Sequence, residues 1–69
     1  MTVKQFLLKV SKDSIITFIN INQEIIFDCV EWEKLFQWVL YDEKLIDIFN
    51  SEPIMIEVGK AQGDFIITI

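Results

Sequence analysis

The side chains able to do chemistry are few, and their spacing points away from catalysis. The 69-residue chain has no histidine and one cysteine, Cys29. Without imidazole it lacks the commonest general base and the commonest metal ligand. A single thiol excludes every multi-thiolate zinc arrangement. Cys29 stands near the expected start of a helix, where a thiol can be activated. Asp28 and Glu31 flank it, however, and no histidine can pair with it, so it reads as a small apolar side chain. Gly59 and Gly63 bracket a turn and lack the following Lys-Ser/Thr of a phosphate loop. Asp42, Glu43 and Asp47 are the closest carboxylates, with Glu43 and Asp47 one helical turn apart. An acid/base pair or a hard-cation site uses such proximity, but the calcium-loop spacing and its central glycine are missing. No catalytic residue, metal ligand or cofactor is assigned, and the chain reads as a non-enzyme.

Charge narrows the partners. There is no arginine, the commonest reader of bases and a major phosphate contact, and six lysines face eleven acids. Lys4, Lys9 and Lys12 make a weak basic patch at best, so direct nucleic-acid binding is not expected. The net charge of −5 is localised. Asp28 to Glu52 holds seven acids and two lysines, whereas elsewhere four acids are balanced by four lysines.

That same segment, Asp28 to Asn50, is the longest run of good helix formers, and the remaining elements read as strands around it. Asp28 and Glu31 have the N-cap to N3 spacing of a capping box, Asn50 suits a left-handed C′ position, and Pro53 follows. At 100° per residue, Trp32, Leu35, Phe36, Val39 and Ile46 share one face. Trp38, Leu45 and Phe49 share a second, adjacent face, and Glu33, Gln37 and Lys44 mark the polar side. A bend near Tyr41-Asp42-Glu43, with Asp42 capping a second piece, would let each half bury its own face. An unbroken helix would leave Trp38, Leu45 and Phe49 as an exposed apolar surface, the usual mark of an interaction site. Tyr41, Asp42, Glu43 and Asp47 would form its rim.

Val3 to Val10 reads as a first strand by alternation of Phe6, Leu8 and Val10. Ser14 to Ile21 is a second, dense in β-branched residues and apolar on both faces, as in a strand covered twice or lying at an interface. Asn22-Gln23 is the expected two-residue turn into Glu24–Phe27, which places Phe18 opposite Phe27 and Ile19 opposite Ile26. Ile54–Val58 and Asp64–Ile69 form a C-terminal hairpin around Gly59–Gly63. The fold class is therefore a two-layer α+β domain over residues 1–69, β-β-β-α-β-β, with a mostly antiparallel sheet and one helix, bent or broken near Tyr41, on one face. A β-grasp arrangement, two strands, a helix and further strands, is the nearest alternative, and the strand Glu24–Phe27 departs from it.

A chain this short gains only a small core margin. Its 52% hydrophobic content and mean hydropathy of +0.39 are high for a monomer. Burial by association, most simply as a homodimer, is the expectation. No stretch approaches the ~20 apolar residues of a membrane span. The start, Met1-Thr2-Val3-Lys4-Gln5, is not read as a secretory signal. One unpaired cysteine suits a reducing cytoplasm. Together these features describe a small acidic protein-interaction module that binds itself or a partner through the aromatic helix surface. The alternative is an inhibitor of the kind encoded by phages and mobile elements, using its acidic helix to occupy a basic site on a nucleic-acid-handling enzyme.

Overall fold

Thr2 and Gln5 begin the chain with a helix rather than a strand. In the computed structural model, which describes residues 1–69, Gln5 N–H donates to the Thr2 hydroxyl at 3.2 Å and Thr2 N–H donates to Gln5 Oε1 at 2.8 Å. This reciprocal capping box opens α1, Val3–Leu7. Val3 and Leu7, four positions apart, are both buried beneath it. The strand expected over Val3–Val10 is thus replaced by a helix.

The elements that follow are β1 (Ile15–Ile19), β2 (Ile25–Glu31), α2 (Trp32–Trp38), α3 (Glu43–Asn50), β3 (Met55–Val58) and β4 (Asp64–Thr68). The fold is α+β, a mixed four-stranded sheet in the order β2-β1-β4-β3. Both hairpins are antiparallel, and β1 joins β4 in parallel at the centre, with Ile15 beside Asp64 and Ile19 beside Thr68. After α1, the order of elements is hairpin, helical segment, hairpin, as in the β-grasp alternative. The strand Glu24–Phe27, counted above as the departure from that arrangement, is kept as part of β2, and the element that leaves the sheet is Val3–Val10.

Phe18 does face Phe27, with ring centroids 6.3 Å apart in an edge-on arrangement. Ile19, however, pairs with Ile25 rather than Ile26. The turn is longer than expected: Asn20 N–H donates to Glu24 O at 3.0 Å, enclosing Ile21, Asn22 and Gln23. The Asn20 side-chain oxygen accepts from the N–H groups of Asn22 and Glu24, and Gln23 takes the left-handed conformation (φ 63°). In the C-terminal hairpin that conformation falls to Gly63 (φ 88°).

The helical segment starts later than Asp28 and is broken. β2 continues to Glu31 because Val30 pairs with Ile16 and is buried. Asp28 is therefore a strand residue, and Glu31, at the N-cap of α2, makes no side-chain cap. Trp32 N–H instead donates to Ser14 O at 3.1 Å, so strand pairing hands over directly to helix. At the other end of α2, Tyr41 N–H and Asp42 N–H both return to Trp38 O. Asp42 then caps α3, its carboxylate accepting from Lys44 N–H at 2.9 Å. Asn50 is the last helical residue rather than a left-handed C′. Extended Ser51 ends the helix, its hydroxyl donating to Ile48 O at 2.7 Å.

All three helices lie over one face of the sheet and share one cluster of ten buried residues with it. The helices supply Val3, Leu7, Leu35, Leu45, Ile48 and Phe49, and the sheet supplies Ile16, Phe18, Val30 and Ile67. The Trp32 indole N–H donates to Leu7 O at 2.7 Å, tying α1 to α2, and its ring stacks on Phe36 at 4.2 Å. No helix is long and apolar enough to cross a membrane.

The position of the true cap is testable. Asp42→Ala should lower stability by about 1 kcal/mol, while Asp28→Ala should leave it within about 0.5 kcal/mol. Urea denaturation followed by tryptophan fluorescence distinguishes these outcomes, and equal losses would return the helix start to Asp28.

Candidate interaction surface

The break between α2 and α3 redistributes the residues expected at a partner surface. Face assignments at 100° per residue hold only along a continuous helix. Beyond the break the phase is reset, and α3 buries Leu45, Ile48 and Phe49. Leu45 is fully buried and Phe49 is 3% exposed, with the Phe49 ring against Phe36 at 5.2 Å. Both belong to the core, Phe49 also lining a shallow cleft with Phe36 and Val39. Ile46, expected on the covered face, is exposed instead.

Trp38 and Tyr41 remain outside, Tyr41 at 89% exposure. Leu40 joins them in the same turn, and with Ile46 it lines a shallow cleft that also includes Phe36 and Val39. Glu43 and Asp47 are exposed on α3, while the Asp42 carboxylate is engaged in its cap. The elbow is thus an apolar tip with two free acids beside it.

A larger surface lies on the opposite side of the molecule. Along β1, Ile15, Thr17 and Ile19 alternate with the fully buried Ile16 and Phe18. They therefore point away from the helices. Register carries this outer face across the sheet: Ile66 lies beside Thr17, Thr68 beside Ile19, Ile25 beside Ile19 on one edge and Met55 beside Thr68 on the other. None of these residues belongs to the core cluster or packs against it. Ile25 and Met55 are exposed, Ile15, Thr17, Ile19 and Ile66 are half-buried, and Thr68 is buried.

A bulge gives this face its one reactive side chain. Two residues of β2, Asp28 and Cys29, stand opposite the single Thr17 of β1. Cys29 takes a left-handed backbone (φ 46°), and its N–H donates to the Thr17 hydroxyl at 3.1 Å. Both bulge residues are exposed and line an open cleft of about 450 Å³ with Ile15, Thr17, Ile25 and Ile66. The helix N-terminus expected beside Cys29 is not there, because Cys29 lies within the strand.

No three His, Cys, Asp or Glu residues are placed to hold a metal ion. The two ion pairs, the N-terminus with Glu52 at 3.7 Å and Lys34 with Glu31 at 3.9 Å, lie among exposed groups. The outer sheet face was legible in the both-sided apolar character of Ser14–Ile21. What the sequence did not reveal was that β4 would continue the same pattern alongside it. No family model, curated protein or solved structure matches the chain.

Two sets of variants check these assignments. Leu45→Ala and Phe49→Ala should each cost about 3 kcal/mol or more, enough to unfold much of a domain this size, while Trp38→Ala should cost under about 1 kcal/mol. Thermal melts followed by circular dichroism give the comparison, and a stable Phe49→Ala would place that ring outside the core. At the bulge, Cys29→Val should lose about 1–2 kcal/mol because a β-branched residue resists positive φ, whereas Cys29→Gly should stay near wild type.

Proposed function

We propose that the protein is a non-enzymatic protein-interaction module whose partner packs on the uncovered face of the sheet. The observation that carries this reading is the placement of Ile15, Ile19, Ile25, Met55 and Ile66 outside the single core cluster. A sheet is stable when its apolar face is buried, and here one face lacks its cover. Contiguous exposed apolar surface on a small protein marks a site of association. The sequence supports it in that the chain has no histidine, the commonest general base. The unpaired, exposed Cys29 favours a reducing compartment, and we place the protein in the cytoplasm.

A second reading keeps the interface on the helical side, where Trp38, Leu40, Tyr41 and Ile46 are exposed at the elbow beside Glu43 and Asp47. It includes the inhibitor that would occupy a basic site on a nucleic-acid-handling enzyme. Its support is thinner. The acids it requires on one helix are divided, with Asp28 and Glu31 on β2 and Asp42 committed to a cap.

Position-specific photo-cross-linking separates the two. A photoreactive residue at Ile25 or Ile66 should yield one discrete product in the cells from which the sequence derives, and the same residue at Glu33 should yield none. A product from Tyr41 alone would move the interface to the elbow. Absence of product from all positions would remove the interaction reading.

A further inference from the structure

The uncovered sheet face is apolar at its centre and acidic at its margin, and this combination selects the occupant. Glu57 stands beside Ile66, Asp64 beside Ile15, and Glu31 beside Ile15 on the other side. Asp28 completes the margin from the bulge. Lys60 is the one basic residue lining the same cleft. Of these acids, Glu31 alone has a cation within 4.0 Å, Lys34. Asp28, Glu57 and Asp64 face outward without an ion pair. Three of the six lysines lie instead on the helices, Lys4 on α1, Lys34 on α2 and Lys44 on α3, while Lys12 lines a neighbouring cleft with Ile15 and Glu31.

Resting on the interaction reading above, we infer that the occupant of this face is a cationic amphipathic helix of another protein, with apolar residues on the isoleucines and Lys or Arg over Asp28, Glu57 and Asp64. The geometry suits one helix. Four strands about 4.8 Å apart make a surface roughly 14 Å wide between edge backbones, and an α-helix with side chains is about 10–12 Å across. β1 extends about 17 Å, which about 12 helical residues span. The other face of the same sheet is already covered by helices through its alternate residues, so a helix here completes a second helix-on-sheet layer. Charge argues against a second copy of this chain. Two such faces packed together would bring their unpaired acids to one seam, and like charges brought together across an interface oppose association. A basic helix converts the same acids into steering and orienting contacts.

The test uses a fluorescent synthetic peptide of about 18 residues, Leu and Lys at amphipathic helical spacing, beside the same peptide with Glu for Lys. Fluorescence anisotropy should show saturable binding of the Lys peptide, weakening at least tenfold between about 0.05 and 0.5 M salt, and no binding of the Glu peptide. Ile25→Lys and Asp28→Asn with Glu57→Gln should each weaken binding at least fivefold, while Ile46→Lys and Glu43→Gln with Asp47→Asn on α3 should change it less than twofold. Protection of Cys29 from a thiol reagent by the bound peptide reads the site without any substitution, so it stands even if a variant misfolds.

Equal losses from the sheet and α3 variants, or unprotected Cys29, would overturn the proposal. So would a dimer, seen by light scattering at both salt concentrations and dissociated by Ile25→Lys. That result would put a second copy on the face and leave the interaction reading intact. A monomer whose peptide binding ignores every sheet variant would overturn both.

Discussion

Everything in this structure rests on the parallel pairing of β1 with β4. It sets two strands from opposite ends of the chain side by side, Ile15 against Asp64 through Ile19 against Thr68. Three of the fully buried side chains, Ile16, Phe18 and Ile67, come from this pair. The two hairpins attach to it from outside, and the helices are the connection that makes a parallel arrangement possible, since parallel strands cannot be joined by a tight turn. With the pair in place, one face has helices to pack against it. The other carries every second residue of two central strands, most of them half-buried and its isoleucines outside the core cluster.

The strands were largely legible and the helices only partly so. Ile15–Ile19 and Asp64–Thr68 are rich in β-branched residues, and the Phe18–Phe27 pairing follows from alternation across a short turn. Thr2-x-x-Gln5, with Val3, Phe6, Leu7 and Val10 at helical spacing, was also readable as a helix. The competing alternation of Phe6, Leu8 and Val10 conceals it, because a five-residue element satisfies both periods. Asp28-x-x-Glu31 misleads for a different reason. The capping pattern is real in composition, but Val30 gains more by pairing with Ile16 and entering the core than Asp28 would gain by capping. Leu45 and Phe49 could not be placed from the sequence without fixing the rotation of α3 after the break. Asp42 as its cap could.

The two layers divide the polar chemistry of the chain between them. Most of the lysines lie on or next to the helices, whereas the outer sheet face carries carboxylates around isoleucine and threonine. Seen as a linear string, the acidity belongs to one segment, Asp28 to Glu52. Folded, that segment crosses from the sheet through both helices toward β3, and its charge is shared between opposite sides of the molecule. The bulge at Cys29 contributes to this directly. By inserting one residue against Thr17, it brings Asp28 to the cleft beside Ile15, Thr17 and Ile66.

Pairing partners 49 positions apart also has a consequence in time, since Ile15 meets Asp64 only after the whole intervening chain has been ordered or looped. Closing a loop of that length costs entropy that no local contact repays, so the hairpins and short helices form on faster timescales than the central pair. On a ribosome β4 emerges after β1, α2, α3 and β3. Until it does, β1 presents a bare edge, and its isoleucines are exposed on two sides rather than one. The nascent chain therefore passes through a period in which its most aggregation-prone strand is unprotected, and prompt pairing with β4 matters to this protein more than to a helical bundle of equal length.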